Sequence, residues 1–85
     1  MINEDKIIET LSKDLNKGFN LMKEEYKYFV NKLVTSFVDN KDYVLCITKD
    51  VYRNIFKELK SIKNIKNLTT LVYKITMNTC ISNSI

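Results

Sequence analysis

The chain has 85 residues, 45% of them apolar, with one glycine and no proline. This excludes disorder and a series of β-hairpins, and leaves room for one domain whose core supplies about 3–5 kcal/mol. Its net charge of +4 is uneven: residues 1–30 hold five Lys against six Asp/Glu, residues 31–52 three against three, and residues 53–85 six Lys/Arg against Glu58 alone.

Four helical segments follow in chain order. The first is expected from about Glu4 to Asn16, with Asn3 as its N-cap and Ile7, Ile8, Leu11 and Leu15 as its apolar stripe. Asp14, Asn16 and Gly18 mark a break. The second is expected from about Phe19 to Val38. Phe19, Met22, Tyr26, Phe29, Val30, Leu33, Val34 and Phe37 recur there at spacings of three and four, the strongest periodicity in the chain. The third is expected from about Asp42, as its cap, to Ile62, on Val44, Ile47, Val51, Ile55, Leu59 and Ile62. Tyr43–Thr48 is β-branched and aromatic enough for a strand, but the helical spacing runs through it. After a basic loop, Lys63–Asn67, the fourth is expected from Leu68 or Thr69 to Ser82. Asn67 caps it, its inner face is Leu68, Leu71, Val72, Ile75 and Thr79, and the tail 82–85 frays. The fold expected is an all-α, compact bundle of three to four helices, one domain over residues 1–85.

Cys46 and Cys80 are too far apart, and too short of histidine partners, for a zinc pattern. Both are expected to be reduced and mostly buried, with Cys80 the more exposed of the two because it lies near the chain end. No glycine-rich phosphate loop exists, and no histidine is present as a base. The carboxylates are scattered over solvent faces. An enzyme is not expected, nor a metal or cofactor. No apolar run spans a bilayer and no signal peptide is recognisable, so a cytoplasmic chain without membrane insertion is expected.

The C-terminal charge points to an anionic partner, or to nothing more than a solvated Lys-rich face. Lys60, Lys63, Lys66 and Lys74 suit phosphates. Tyr73 and Met77 offer surface to bases, Asn78 a donor and an acceptor, and Thr69 or Thr70 a hydroxyl. The plainer alternative makes Tyr73 a core-edge residue and Asn78 a solvated one.

The order of residues from Leu68 to Ser82 resembles region 2 of extracytoplasmic-function sigma factors. That family carries Trp-Leu-Tyr-Lys/Arg-Ile-Ala-Arg-Asn and often Cys-Ile-Asp. Thr70, Val72, Tyr73, Lys74, Ile75 and Asn78 to Ile81 match or nearly match. Upstream, Asp50-Val51-Tyr52-Arg53-Asn54-Ile55-Phe56-Lys57 is similar to the family's Glu/Asp-Val-Phe-x-x-Ile/Leu-Trp-Lys. Lys17-Gly18-Phe19-Asn20-Leu21-Met22 and Tyr26 are similar to its opening Gly-x-x-x-Leu and Tyr. The three stretches come in family order over about residues 7–82.

The resemblance implies a sigma factor region 2-like domain with two working surfaces. Lys49, Asp50, Arg53, Asn54 and Lys57 would dock on the clamp helices of the RNA polymerase core β′ subunit. Lys60, Lys63, Lys66, Thr70, Tyr73, Lys74, Met77 and Asn78 would face promoter DNA, mainly the melted non-template strand of the minus-ten element. An anti-sigma factor is a further implied partner. Val44-Leu45-Cys46-Ile47-Thr48-Lys49 departs from the family's acidic Ala-Glu-Asp-Leu-Val-Gln. Leu71 stands for its Trp, Met77 for its Arg and Ser82 for its Asp. These departures carry the alternative of a sigma-like protein-interaction module that regulates transcription without melting a promoter. A further alternative is an unrelated helical bundle.

Overall fold

The computed structural model describes residues 2–83. Four helices account for most of them: α1 (Glu4–Lys13), α2 (Leu15–Thr35), α3 (Lys41–Ser61) and α4 (Leu68–Asn83), with no strand among the described residues. The chain is an all-α bundle with a radius of gyration of 12.6 Å, against about 12 Å for a compact domain of this length. None of the helices is long and apolar enough to cross a membrane, among the described residues.

The caps explain the boundaries. Asn3 accepts the Lys6 amide at 3.2 Å and starts α1, as expected. Asp14 both ends α1 and starts α2, in extended backbone, with its carboxylate accepting from the Lys17 amide at 3.1 Å. Helix α2 therefore begins four residues before Phe19 and ends at Thr35, ahead of Val38. Phe37 falls outside it, in a turn, and is exposed. Asn40, not Asp42, caps α3, accepting from the amides of Asp42 and Tyr43. Asn67 accepts from the Thr70 amide at 2.9 Å at the start of α4. Ser82 and Asn83, expected to fray, belong to α4, where the Asn83 side-chain Nδ2 donates to the Thr79 carbonyl at 2.8 Å. Ser84 and Ile85 of the same tail lie outside the described residues.

Gly18 is not a break. It sits buried inside α2, where α1 folds back on it: a Cβ there would lie 2.6 Å from the Leu11 backbone. The glycine sets the distance of closest approach between the first two helices.

The core gathers Ile7 and Leu11 from α1, Met22, Tyr26, Val30 and Val34 from α2, Val44, Ile47, Val51, Ile55 and Leu59 from α3, and Leu68, Val72 and Cys80 from α4. Phe19 stands edge-on to Tyr52 and Phe56, locking the start of α2 to α3. On α4, Leu71 and Ile75 are only half-buried, while Thr76, Thr79 and Cys80 take the inner positions. Cys80 is buried, as expected of both cysteines, whereas Cys46 is exposed, so the expected order of exposure is reversed. Burial in the core outweighs proximity to the chain end for Cys80, and Cys46 lies off the Val44–Ile47–Val51 row.

Candidate functional site

Helices α3 and α4 run side by side in opposite directions, with Tyr43 opposite Asn83 and Asn54 bonded to Thr79. The Asn54 Nδ2 donates to Thr79 Oγ1 at 3.0 Å, and that hydroxyl donates its own hydrogen to the Ile75 carbonyl at 2.7 Å. An open groove follows this seam. Asp50, Arg53, Asn54, Lys57 and Glu58 line its α3 side, and Ile75, Asn78, Thr79, Ser82 and Asn83 its α4 side. Four residues of the set singled out on α3 meet one residue of the nucleic-acid set, Asn78, in this groove.

Within the α3 set, Arg53 pairs with Asp50 at 3.4 Å, one turn apart. The Arg53 side chain is 67% exposed, so the pair holds the guanidinium loosely and is worth under about 1 kcal/mol. Lys49 and Lys57 are exposed. Asn54 differs from the others, because its amide is engaged in holding α4.

On α4, Thr70, Tyr73, Lys74 and Met77 fall at helical spacing on the side away from the core, with Asn78 one turn beyond Lys74. Thr70, Tyr73, Lys74 and Asn78 are exposed and Met77 is half-buried. Tyr73 is 44% exposed, which makes it a rim residue. Lys74 is the only charged residue of this helix. Of the two threonines weighed for a base contact, Thr70 is turned outward and Thr69 inward.

The remaining lysines are spread rather than gathered. Lys60 lies over the Phe56 ring, 5.5 Å from its centroid. Lys63 borders a cleft with Ile8 and Leu11, and Lys66 one with Glu4 and Asp5. Neither cleft includes a residue of the outer face of α4.

A polar cluster that the sequence did not reveal sits where α4 begins. Glu4 Oε1 accepts from the backbone amides of Leu68 at 2.7 Å and Thr69 at 3.3 Å, and Glu4 Oε2 accepts from the Thr69 hydroxyl at 2.9 Å. Tyr26, fully buried, lies 2.7 Å from the same hydroxyl. Since the Thr69 hydrogen goes to Glu4, the Tyr26 hydroxyl is the donor in that contact. Burial raises the Tyr26 phenol above its ordinary value, and the Glu4 charge adds to the rise. No local signal marks this cluster, because Glu4 stands 64 residues from Leu68.

Comparison with protein-family models, with curated proteins and with solved structures returns no match. Among the described residues there is also no group of three or more Asp, Glu or Cys placed to hold a metal ion.

Proposed function

We propose that the chain is a sigma factor region 2 module that binds the RNA polymerase core through α3 and the melted non-template strand of a minus-ten promoter element through α4. The sequence resemblance motivates the reading. The observation that carries it is the outer face of α4, where Thr70, Tyr73, Lys74 and Asn78 are all exposed, with Asn78 also lining the groove that holds Arg53 and Lys57 of α3. Lys74 supplies a phosphate contact, Tyr73 a stacking surface and Asn78 an amide for a base edge. No acidic residue lies on α4 to repel a strand. The chain acts in this reading by binding alone, in the cytoplasm and without chemistry of its own.

Capture of RNA polymerase core by the full chain tests the first half. Arg53→Ala and Lys57→Ala are expected to weaken capture while leaving the fold intact. Absence of capture by the unsubstituted chain would sink the reading. For the second half, a labelled single-stranded minus-ten-type oligonucleotide is expected to bind with a steep salt dependence, and Asn78→Ala to remove its sequence preference.

One observation favours the second reading, a sigma-like module that regulates transcription through protein contacts such as an anti-sigma factor. Lys74 is the single cation on α4, while Tyr73 and Ile81 leave apolar surface exposed beside it. Binding of that oligonucleotide with no salt dependence, or none at all alongside polymerase capture, would select this reading.

A further inference from the structure

We propose that α1 is a clasp that sets the first turn of α4, with Glu4 as its positioning residue, so that the outer face of α4 is presented to a partner only while α1 is docked. The proposal rests on the reading of that face as strand-binding for its functional consequence, and on the geometry alone for the clasp. The first turn of any helix leaves amide hydrogens without partners inside the helix. At α4 the Leu68 and Thr69 amides both go to the Glu4 carboxylate, across the bundle, and the local cap Asn67 takes the Thr70 amide. A carboxylate at that position also faces the positive end of the helix dipole, which makes these bonds charge-assisted.

The clasp has an anchor as well as a hook. Leu68 is fully buried, so its amide is shielded from water and has no ready substitute for the carboxylate. The Thr69 hydroxyl accepts from Tyr26 on α2 and donates to Glu4 on α1, so three helices meet at one side chain. Helices α1 and α4 touch over a small area, whereas α1 is packed along α2. The bonds from Glu4 are therefore the main polar link through which α1 acts on α4. Thr70 and Tyr73, one residue and one turn beyond this link, are the first outward residues of the candidate face.

Amide hydrogen exchange on the full chain tests this directly. In Glu4→Ala the Leu68 and Thr69 amides are expected to lose protection by about tenfold or more relative to Val51 in α3. Glu4→Gln is expected to fall between, because its one side-chain carbonyl still accepts from Leu68 but no longer carries charge. Affinity for the labelled single-stranded oligonucleotide is expected to fall by about threefold or more in Glu4→Ala. Charge alone predicts the opposite sign, since removing an anion favours an anionic strand. Unchanged protection at Leu68 and Thr69, an equal loss of protection in all four helices, or tighter strand binding overturns the clasp. If the unsubstituted chain binds no strand, the nucleic-acid reading fails and the exchange pattern alone decides the clasp.

Discussion

Helices α2 and α4 both lie against the core, yet they bury themselves by different means. On α2 an unbroken row at four-residue spacing goes inward: Gly18, Met22, Tyr26, Val30 and Val34. On α4 the inner row is Leu68, Val72, Thr76 and Cys80, with Thr79 beside it, while Tyr73 and Ile81 remain outside. Buried threonines are tolerable there because each hydroxyl turns back on its own helix. Thr76 donates to the Val72 carbonyl and Thr79 to the Ile75 carbonyl, both at 2.7 Å. A helix that satisfies its buried hydroxyls locally needs fewer apolar residues inward and has aromatic and amide residues to spare for its outer face. Helix α2 builds the core, whereas α4 rests on it and displays a surface.

The sharpest way to break this contrast is Gly18→Ala. The new methyl meets the Leu11 backbone, which cannot move aside as a side chain end can. A loss of about 3 kcal/mol is expected, lowering the Tm by roughly 10 °C or more. A small change in thermal unfolding would show that α1 is not held tightly on α2. Asn54→Ala removes the bond that ties α3 to α4 and is expected to cost about 1 kcal/mol in denaturant unfolding. Its effect on polymerase capture is then read against that loss, unlike the effect of Arg53→Ala.

Thr76→Val sharpens the contrast from the other side. If the hydroxyl only satisfies itself, its replacement by a methyl costs under about 1 kcal/mol, and a larger loss in a melting curve would assign it a wider role. Tyr73→Ala is expected to change stability by less than about 0.5 kcal/mol, while weakening oligonucleotide binding if the outer face of α4 is the working surface.

The smallest effect at neutral pH is the alkaline one. Burial raises the Tyr26 and Tyr52 phenols above their ordinary value of 10.0 and the Cys80 thiol above 9.0; for Tyr26 the Glu4 charge adds to this. In each case the folded chain keeps its proton to a higher pH than the unfolded chain does. Their contribution is whole below the unfolded values, and stability falls as pH rises past 9 to 10 and through the raised values. Urea unfolding in that range checks the slope, and Tyr26→Phe is expected to flatten it.

Much of the fold is legible in the residues themselves. The helical spacing of Val44, Ile47, Val51, Ile55 and Leu59 runs through a β-prone stretch, and all five are buried. Asn3 and Asn67 cap where their side chains suggest. The candidate surface is legible in part. The exposed positions of Thr70, Tyr73, Lys74 and Asn78 follow from helical spacing once Leu68 and Val72 are known to face inward. The inward position of Thr76 is not legible, because hydrophobic pattern undervalues a threonine that bonds its own backbone. Cys46 was misplaced because a lone cysteine gives no direction without its neighbours.

The sequence by itself determined that this is a four-helix, all-α chain with its excess positive charge toward the C-terminus, because periodicity and capping act over a few residues. Only the tertiary structure decided that Gly18 is a contact rather than a break, that Asn54 holds α4, and that Glu4 closes the start of α4. Those roles join residues distant in the chain, from seven positions apart for Leu11 and Gly18 to 64 for Glu4 and Leu68. Such pairs are set by how the helices pack, and no local pattern carries that information.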